Sequence, residues 1–440
     1  MNQKTVKVGI VGFGTVGAGV AKILLEDAAA IEAKTGIKLE LAKVVDKDLT
    51  TKRPVELPQG VLTDDLDAII NDDSIDIAVE VIGGTTIACE IQKKLLCAGK
   101  DVVTANKALL AERGSELYAV AHENNRCIAF EASCAGGIPI VTAIRTGLAA
   151  NRISAIYGIL NGTCNYILSN MTEKGQQFDA ALAQAQELGF AEADPTLDIG
   201  GGDSAHKLAI LASIALGYEI KYESISVEGI ETISADDIKF GSKMGYTLKL
   251  LAIAERGENG KISLKVHPAF IDNEDPLAKV RGSFNAVSIF ADAAGHIMLY
   301  GRGAGMMPTA SAVVADIIDV ASGNSRTSFA NTHLAKNGSI CEMIEDASNH
   351  IGRYYIRLMA KDQAGVFMQI AEILSNNDIS ISGILQREGH GDDNSVPLVI
   401  TTHQTTQKQL AQCINDLKEL DCIPTAPACI RIVDIPEDKD

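Results

Sequence analysis

Apolar positions along this chain fall into two rhythms, and their alternation sets the expected fold. Residues 6–11 (Val-Lys-Val-Gly-Ile-Val) form a short β-rich run. Gly12, Gly14 and Gly17 follow, and Val16, Val20, Ile23 and Leu24 then fall at helical spacing. Residues 39–45 are apolar again and end at Asp46. Further strands are predicted at 77–82, 101–104 and 126–131, with a helical pattern over 108–124 between the last two. Strands alternating with helices in this way predict a parallel sheet with helices on both faces.

Beyond Glu131 the texture changes. Residues 135–139 are glycine-rich, and helical patterns follow at 142–148, 165–172, 179–188 and 203–216. Residues 262–266, 286–291 and 296–300 read as strands of a second sheet. A glycine-rich turn at 301–305 opens another helix at 308–320. Ser, Asn and Gly then recur through 322–350, as in a linker. From Arg353 the order is strand (354–359), helix (366–376), strand (379–386), strand (396–402), helix (407–420), strand (428–432). That is the βαββαβ order of a ferredoxin-like unit.

Composition narrows the function classes. The chain has 440 residues, 46% hydrophobic and 22% charged, a globular mix with enough chain for two to four domains. Its net charge of −18 would repel a nucleic-acid duplex, so that class is set aside. No apolar run is long enough to span a bilayer, and the N-terminus carries no secretion signal. The nine cysteines are scattered without metal-type pairing, which predicts reduced thiols in the cytoplasm and no zinc.

Candidate chemistry concentrates at two places. The first is Gly12-Phe13-Gly14-Thr15-Val16-Gly17, between a strand and a helix. Its first glycine allows the tight turn, its second lets backbone approach a pyrophosphate, and its third lets helix and strand pack closely. The helix N-terminus offers unpaired N–H groups and partial positive charge to the phosphates. This predicts a Rossmann-type dinucleotide site. Asp46 closes the second strand, where a carboxylate would bond the ribose diol and favour NAD. Lys47, Lys52 and Arg53 lie close by and could hold a 2′-phosphate instead, so the cofactor is read as NAD(P). Lys107, just past strand 101–104, and Gly83 and Gly84, just past 77–82, would line the crevice at the strands' carboxyl ends.

The second place is 187–216. Asp203 and Lys207 stand i, i+4 on a helix that has almost no polar face beyond them, because Leu208, Ala209, Ile210, Leu211, Ala212 and Ile214 follow. An exposed pair at this spacing is worth little, whereas a pair at the mouth of a buried region must be matched or functional. Three glycines precede Asp203 and would let backbone approach a small ligand. Glu192, Asp194 and Asp198 crowd the loop before them with carboxylates that would select an ammonium group.

The run 185–207, including Asp194-Pro195, Asp198-Ile199, Gly201, Asp203 and Lys207, resembles the signature of the homoserine dehydrogenase family. Thr104-Ala105-Asn106-Lys107 and the stretches 131–139, 158–166 and 303–310 are similar to that family too, and the likeness covers about residues 5–325. It implies reversible NAD(P)-dependent interconversion of L-homoserine and L-aspartate 4-semialdehyde, on the route to threonine and methionine. By the same likeness Lys207 is the acid/base, Lys107 a second catalytic lysine, Asp203 their orienting partner and Glu192 the substrate anchor, with Asp198 beside it. Gly305 would touch the cofactor. A monovalent cation, sodium, would be held by oxygens at Glu131, Cys134, Gly136 and Ile138. The family more often has valine at Cys134, a change that a backbone carbonyl ligand survives.

The physics fits those roles. A carbonyl that receives a hydride develops negative charge and then needs a proton, and a lysine near its reference pKa of about 10.4 can supply it at neutral pH. Oxidation needs the neutral amine and should run better at alkaline pH. The C-terminal βαββαβ unit resembles an ACT domain, including Asp362 and Gly365 at its first strand–helix turn, which suggests threonine feedback. Free edge strands of such units pair between chains, so a homo-oligomer, dimer or tetramer, is expected. The expected organisation is a dinucleotide-binding domain over 1–134, completed by a helix at about 308–321. A substrate, catalytic and dimerisation domain follows over 135–307, then a linker over 322–351 and an ACT-like regulatory domain over 352–440. Because the chain begins directly with the dinucleotide strand, a monofunctional bacterial form is expected.

Overall fold

Val6, Val8 and Ile10 are buried in a strand, Lys4–Val11, that has parallel neighbours on both sides. The computed structural model describes residues 4–257, 259–330, 343–346, 350–386 and 395–436. In space the parallel sheet runs Leu62–Thr63, Ile37–Val45, Lys4–Val11, Ile77–Glu80, Asp101–Thr104, Ile128–Ala129. Strand order reverses between Lys4–Val11 and Ile77–Glu80, which opens a crevice at their carboxyl ends. The fold is α/β, with this Rossmann-type sheet followed by mixed β-structure. Among the described residues no helix is long and apolar enough to cross a membrane.

The described chain divides into two compact units. The first contains residues 4–162, 202–225 and 283–330. Besides the parallel sheet it holds three antiparallel strands, Gly295–Arg302, Phe284–Ala291 and Ile153–Ile159. Helix Met306–Ser322 packs on helix Thr15–Glu26, and Gly19 makes the close crossing possible: a Cβ there would lie 2.9 Å from Ala310 Cβ. Helix Gly202–Leu216 is buried from Gly202 through Ala212, as its missing polar face predicts.

The second unit contains residues 163–201, 226–282 and 343–436. Tyr246–Arg256 and Ile262–Asp272 form a long antiparallel hairpin. The βαββαβ pattern appears as a sheet in the order Ala428–Ile432, Ile351–Lys361, Ser395–Thr402, Ile381–Gln386. Its helices, Val366–Asn376 and Gln407–Lys418, close a core of Tyr354, Ile356, Ile370, Leu374, Ile400 and Leu417. Strand Ala428–Ile432 also pairs in parallel with Ile262–Asp272, through Ala269 with Arg431 and Phe270 with Ile432. One edge of the ferredoxin-like unit is therefore taken within the chain.

Several elements differ from the sequence pattern. The strand predicted at 126–131 is only Ile128–Ala129, because Glu131–Ser133 turns into a 3-10 helix. Ile153–Ile159 and Tyr246–Arg256 are strands that periodicity did not single out. The second contains helix-favouring Leu248, Leu250, Leu251, Ala252 and Ala254, and full-length cross-strand pairing overrides that propensity. At the helix predicted over 142–148, a short helix, Ile140–Thr142, is followed by a π-turn at Ala143–Gly147. The expected linker starts with a further helix, Asn324–Ala330, and its residues 331–342 and 347–349 lie outside the described residues. So do 387–394 and 437–440 of the expected ACT-like region.

Candidate active site

The glycine turn is shaped by what its glycines lack. At Gly17 a Cβ would lie 2.0 Å from the Gly12 carbonyl oxygen. Gly12 itself has φ +105°, and a Cβ there would meet the Val81 carbonyl oxygen at 2.8 Å. Gly14, at the start of helix Thr15–Glu26, has no atom of the described residues within 4 Å of its Cβ direction, so space is left beside it. The cradle fits a dinucleotide: an open backbone meets a helix N-terminus. A cleft of about 540 Å³ adjoins it, lined among others by Gly12, Gly14, Asp46, Lys47, Ile82 and Gly83. Asp46 accepts the Phe13 N–H at 2.5 Å on one oxygen and the Asp48 N–H at 2.8 Å on the other. Each oxygen keeps a lone pair for a hydroxyl donor. Arg53 donates from Nε to the Phe13 carbonyl at 2.6 Å and stacks its guanidinium 5.9 Å from the Phe13 ring. Thr15 and Val16 form the first turn of the helix behind the loop.

A buried polar chain ties the crevice floor to Lys107. Glu80, fully buried at the end of its strand, accepts from Ile82 N–H at 2.8 Å, Gln92 Nε2 at 2.7 Å and Thr104 Oγ1 at 3.0 Å. Thr104 in turn accepts the Asn106 N–H at 3.0 Å. Asn106 donates from Nδ2 to the Gly84 carbonyl at 2.8 Å and caps helix Lys107–Glu123 by accepting the Leu109 N–H at 3.2 Å. Lys107 thus opens its helix beside the Gly83–Gly84 turn.

Lys107 reaches Asp203. Its Nζ lies 2.7 Å from Asp203 Oδ1, and Lys207 Nζ lies 2.7 Å from Asp203 Oδ2. Asn161 Nδ2 is the third donor to the carboxylate, reaching Oδ2 at 2.8 Å. The side chain of Asp203 is 5% exposed and that of Lys207 10%, whereas Lys107 is 36% exposed. Burial pushes the Asp203 carboxyl up, but the ammonium groups of Lys207 and Lys107 outweigh it and hold it well below the usual carboxylate range. Lys207 also donates to the Leu160 carbonyl at 2.7 Å. Among the described residues, two of its three N–H directions are therefore committed.

Around Glu131 the donors are of another kind. Both carboxylate oxygens accept amides, Val141 N–H and Thr142 N–H, each at 2.8 Å, and the Glu131 N–H donates to Asp316 at 2.7 Å. Burial and the neighbouring Glu131 push the Asp316 carboxyl well above its ordinary value. Ala135 and Gly136 both have left-handed backbone, φ +54° and +53°, and the Ile138 N–H closes on the Ala135 carbonyl at 3.1 Å. Among the described residues no group of three or more His, Cys, Asp or Glu side chains is arranged to hold a metal ion, so a cation at Glu131, Cys134, Gly136 and Ile138 would depend on backbone carbonyls. Cys134 is buried, burial pushes its thiol up to about 12, and its Sγ lies 3.8 Å from the Lys207 carbonyl oxygen. Gly305, φ +117°, caps helix Met306–Ser322.

Glu192 and Asp198 belong to the second unit. Glu192 is exposed, and its carbonyl accepts from Gln186 Nε2 at 3.1 Å. Asp198 is half-buried and accepts from Thr163 Oγ1 at 3.3 Å, while its carbonyl lies 3.1 Å from Cys164 Sγ. Asp194 accepts from the Thr196 N–H at 3.1 Å and the Thr196 hydroxyl at 2.6 Å, just ahead of the short helix Thr196–Ile199.

Comparison with known proteins places this architecture. Residues 12–131 match the family model for the homoserine dehydrogenase NAD binding domain, and residues 139–318 match the homoserine dehydrogenase model. A homoserine dehydrogenase of Pseudomonas aeruginosa is 42% identical over 98% of this chain and 99% of its own. The chain belongs to the homoserine dehydrogenase family. The crystal structure of a homoserine dehydrogenase from Thiobacillus denitrificans matches with a TM-score of 0.87 at 39% identity, covering 98% of this chain and 99% of that one. A hyperthermophilic archaeal homoserine dehydrogenase in complex with NADPH matches with a TM-score of 0.59 at 28% identity, over 72% of this chain and 98% of that one. As a member of this family the chain is an NAD(P)-dependent oxidoreductase acting on a CH–OH group.

In this family member the structure brings Lys107, Asp203 and Lys207 into one cluster and leads it through Asn106 to the glycine crevice. Sequence reasoning missed Asn161, the Leu160 carbonyl and Glu80. Asn161 lies within the stretch 158–166, and Glu80 is visible as a charge inside the apolar run 77–82. The carbonyl of an apolar residue gives no sequence signal. His206, next to Lys207, was also passed over. It is buried, stacks on Tyr222 and lies 3.6 Å from Glu112, and burial holds its imidazole below the usual range.

Proposed function

We propose that this chain oxidises L-homoserine to L-aspartate 4-semialdehyde with NAD(P)⁺, and runs the reverse reaction, with Lys207 as the acid/base. The observation that carries this reading is one buried carboxylate, Asp203, shared between the Nζ atoms of Lys207 and Lys107 at 2.7 Å each. The nicotinamide, when bound, supplies or accepts the hydride. Gly12, Phe13, Gly14, Thr15, Val16 and Gly17 hold its pyrophosphate, Asp46 its ribose, and Lys107 and Gly305 its reactive end. In reduction, Lys207 gives its uncommitted proton to the substrate oxygen as negative charge grows there. In oxidation, the neutral amine takes that proton from the hydroxyl. Asp203 keeps Lys207 aimed and compensates its charge, and Lys107 adds a second cation against the developing alkoxide. Glu192 and Asp198 meet the substrate ammonium group.

Oxygens at Glu131, Cys134, Gly136 and Ile138 would hold a monovalent cation, sodium, which would stiffen that turn. Residues 352–440 act as an ACT-like regulatory domain that binds threonine, attached through 322–351. Residues 1–134 with the helix at about 308–321 form the dinucleotide domain, and 135–307 form the substrate and dimerisation domain of a cytoplasmic homo-oligomer. Following the absorbance of the reduced nicotinamide tests this reading. Homoserine should turn over with NAD⁺ or NADP⁺, and added threonine should slow it. No turnover of homoserine with either dinucleotide would overturn the assignment.

A further inference from the structure

The Leu160 carbonyl oxygen has two donors. One is Lys207 Nζ at 2.7 Å, and the other is Asn285 Nδ2 at 2.8 Å. Their nitrogens therefore lie no farther apart than those two distances together. Asn285 is 1% exposed, and its Oδ1 is buried with no hydrogen-bond partner among the described residues. An orphan buried acceptor costs stability, so folding alone does not account for an amide here. The amide also lies flat against Gly303: a Cβ on that glycine would sit 2.1 Å from Asn285 Nδ2. Gly303 belongs to the loop that ends at Gly305, the cap of helix Met306–Ser322.

We infer that Asn285 is a positioning residue for Lys207: it fixes the carbonyl to which the lysine is hydrogen-bonded, and Gly303 is glycine because the amide needs its space. The inference rests on the reading of Lys207 as acid/base. A carbonyl held by one donor can rotate, and with it the ammonium it holds. With two donors both lone pairs are taken and the oxygen is fixed. The remaining N–H of Lys207 then points in one direction, and small errors in that direction are expensive for proton transfer.

Three variants in the full-length chain test this. Asn285→Ala removes the second donor and should lower kcat roughly tenfold or more in both directions. Michaelis constants for the dinucleotide should change less than about threefold. Gly303→Ala should phenocopy it, because the added methyl displaces the amide, and the double variant should be no worse than either single one. Asn285→Asp is the informative isostere. As a neutral acid it can still donate to Leu160, but once ionised it places a carboxylate near Lys207 and holds the lysine's proton. The alkaline rise of homoserine oxidation should therefore move to higher pH in Asn285→Asp, while Asn285→Ala loses amplitude without that shift. Dinucleotide fluorescence titration shows that each variant is folded. Wild-type pH profiles in both Asn285 variants, with kcat within about twofold of wild type, would overturn the inference while leaving Lys207's role intact. Wild-type turnover in Lys207→Ala would instead overturn the underlying reading.

Discussion

Lys207 and Asp203 stand one helical turn apart with 2.7 Å between ammonium and carboxylate, and both are buried. The second oxygen of the same carboxylate takes Lys107 at the same distance. Removing the carboxylate leaves two cations facing each other without compensation, one of them buried. Asp203→Ala should lower kcat by about 10²-fold or more, while dinucleotide affinity stays within about threefold. Steady-state kinetics beside a fluorescence titration checks this. A comparable loss in both quantities would mean that Asp203 supports the fold rather than the chemistry.

The glycine turn makes a paired prediction. At Gly17 a Cβ would collide with the Gly12 carbonyl at 2.0 Å, so Gly17→Ala should lower thermal stability and dinucleotide affinity together. At Gly14 a Cβ meets no atom of the described residues within 4 Å, so Gly14→Ala should melt like wild type. It should still bind dinucleotide at least roughly tenfold more weakly, because the methyl occupies the space a phosphate needs. Normal affinity in Gly14→Ala would remove the pyrophosphate from this loop.

Lys249 yields a prediction in pH. It is 3% exposed, and its ammonium donates to Asn165 Oδ1 at 3.1 Å and to the Val280 carbonyl. Burial, with Arg281 adding to it, brings its pKa down from 10.5 to about 8. Between those values the unfolded chain holds the proton more tightly, so stability rises with pH. The penalty is complete below pH 8 and is relieved by about pH 10.5, a change on the order of 3 kcal/mol. Thermal unfolding of wild type and Lys249→Met across this window should show the difference moving in favour of wild type as pH rises. A difference that stays constant would contradict the shift.

Much of this was legible because it depends on local spacing. Gly12 and Gly17 are forced by backbone geometry, and Asp203 and Lys207 share a face through the helical period. Lys107 could be placed at the crevice from strand order, but its pairing with Asp203 joins residues far apart in sequence, which only tertiary packing brings together. The Leu160 carbonyl was invisible in principle, since every residue has one. Tyr246–Arg256 was missed because alanine and leucine favour helix until a partner strand is present. Asp46 was read as a ribose ligand from its position at the strand end. Its bond to the Phe13 amide, which also fixes the glycine loop, could not be read from composition.

Removing the C-terminal unit is a severer cut than its separate core suggests. Strand Ala428–Ile432 pairs with Ile262–Asp272, and Arg357 bonds the buried Asp237 from Nε at 2.6 Å while Tyr355 donates to it at 3.1 Å. Deleting 352–440 should therefore expose a strand edge and leave Asp237 without its cation, lowering the thermal midpoint by several degrees or more. Threonine inhibition should be lost with it. Point changes at Asp362 separate the two effects: inhibition should weaken while the midpoint stays at the wild-type value. Full inhibition in the truncated chain would place the effector elsewhere.

The most direct test of the whole account is the turnover of Lys207→Ala with homoserine and either dinucleotide. Turnover in both directions should fall by about 10²-fold or more while the dinucleotide still binds. Turnover within a few-fold of wild type would mean that another group moves the proton.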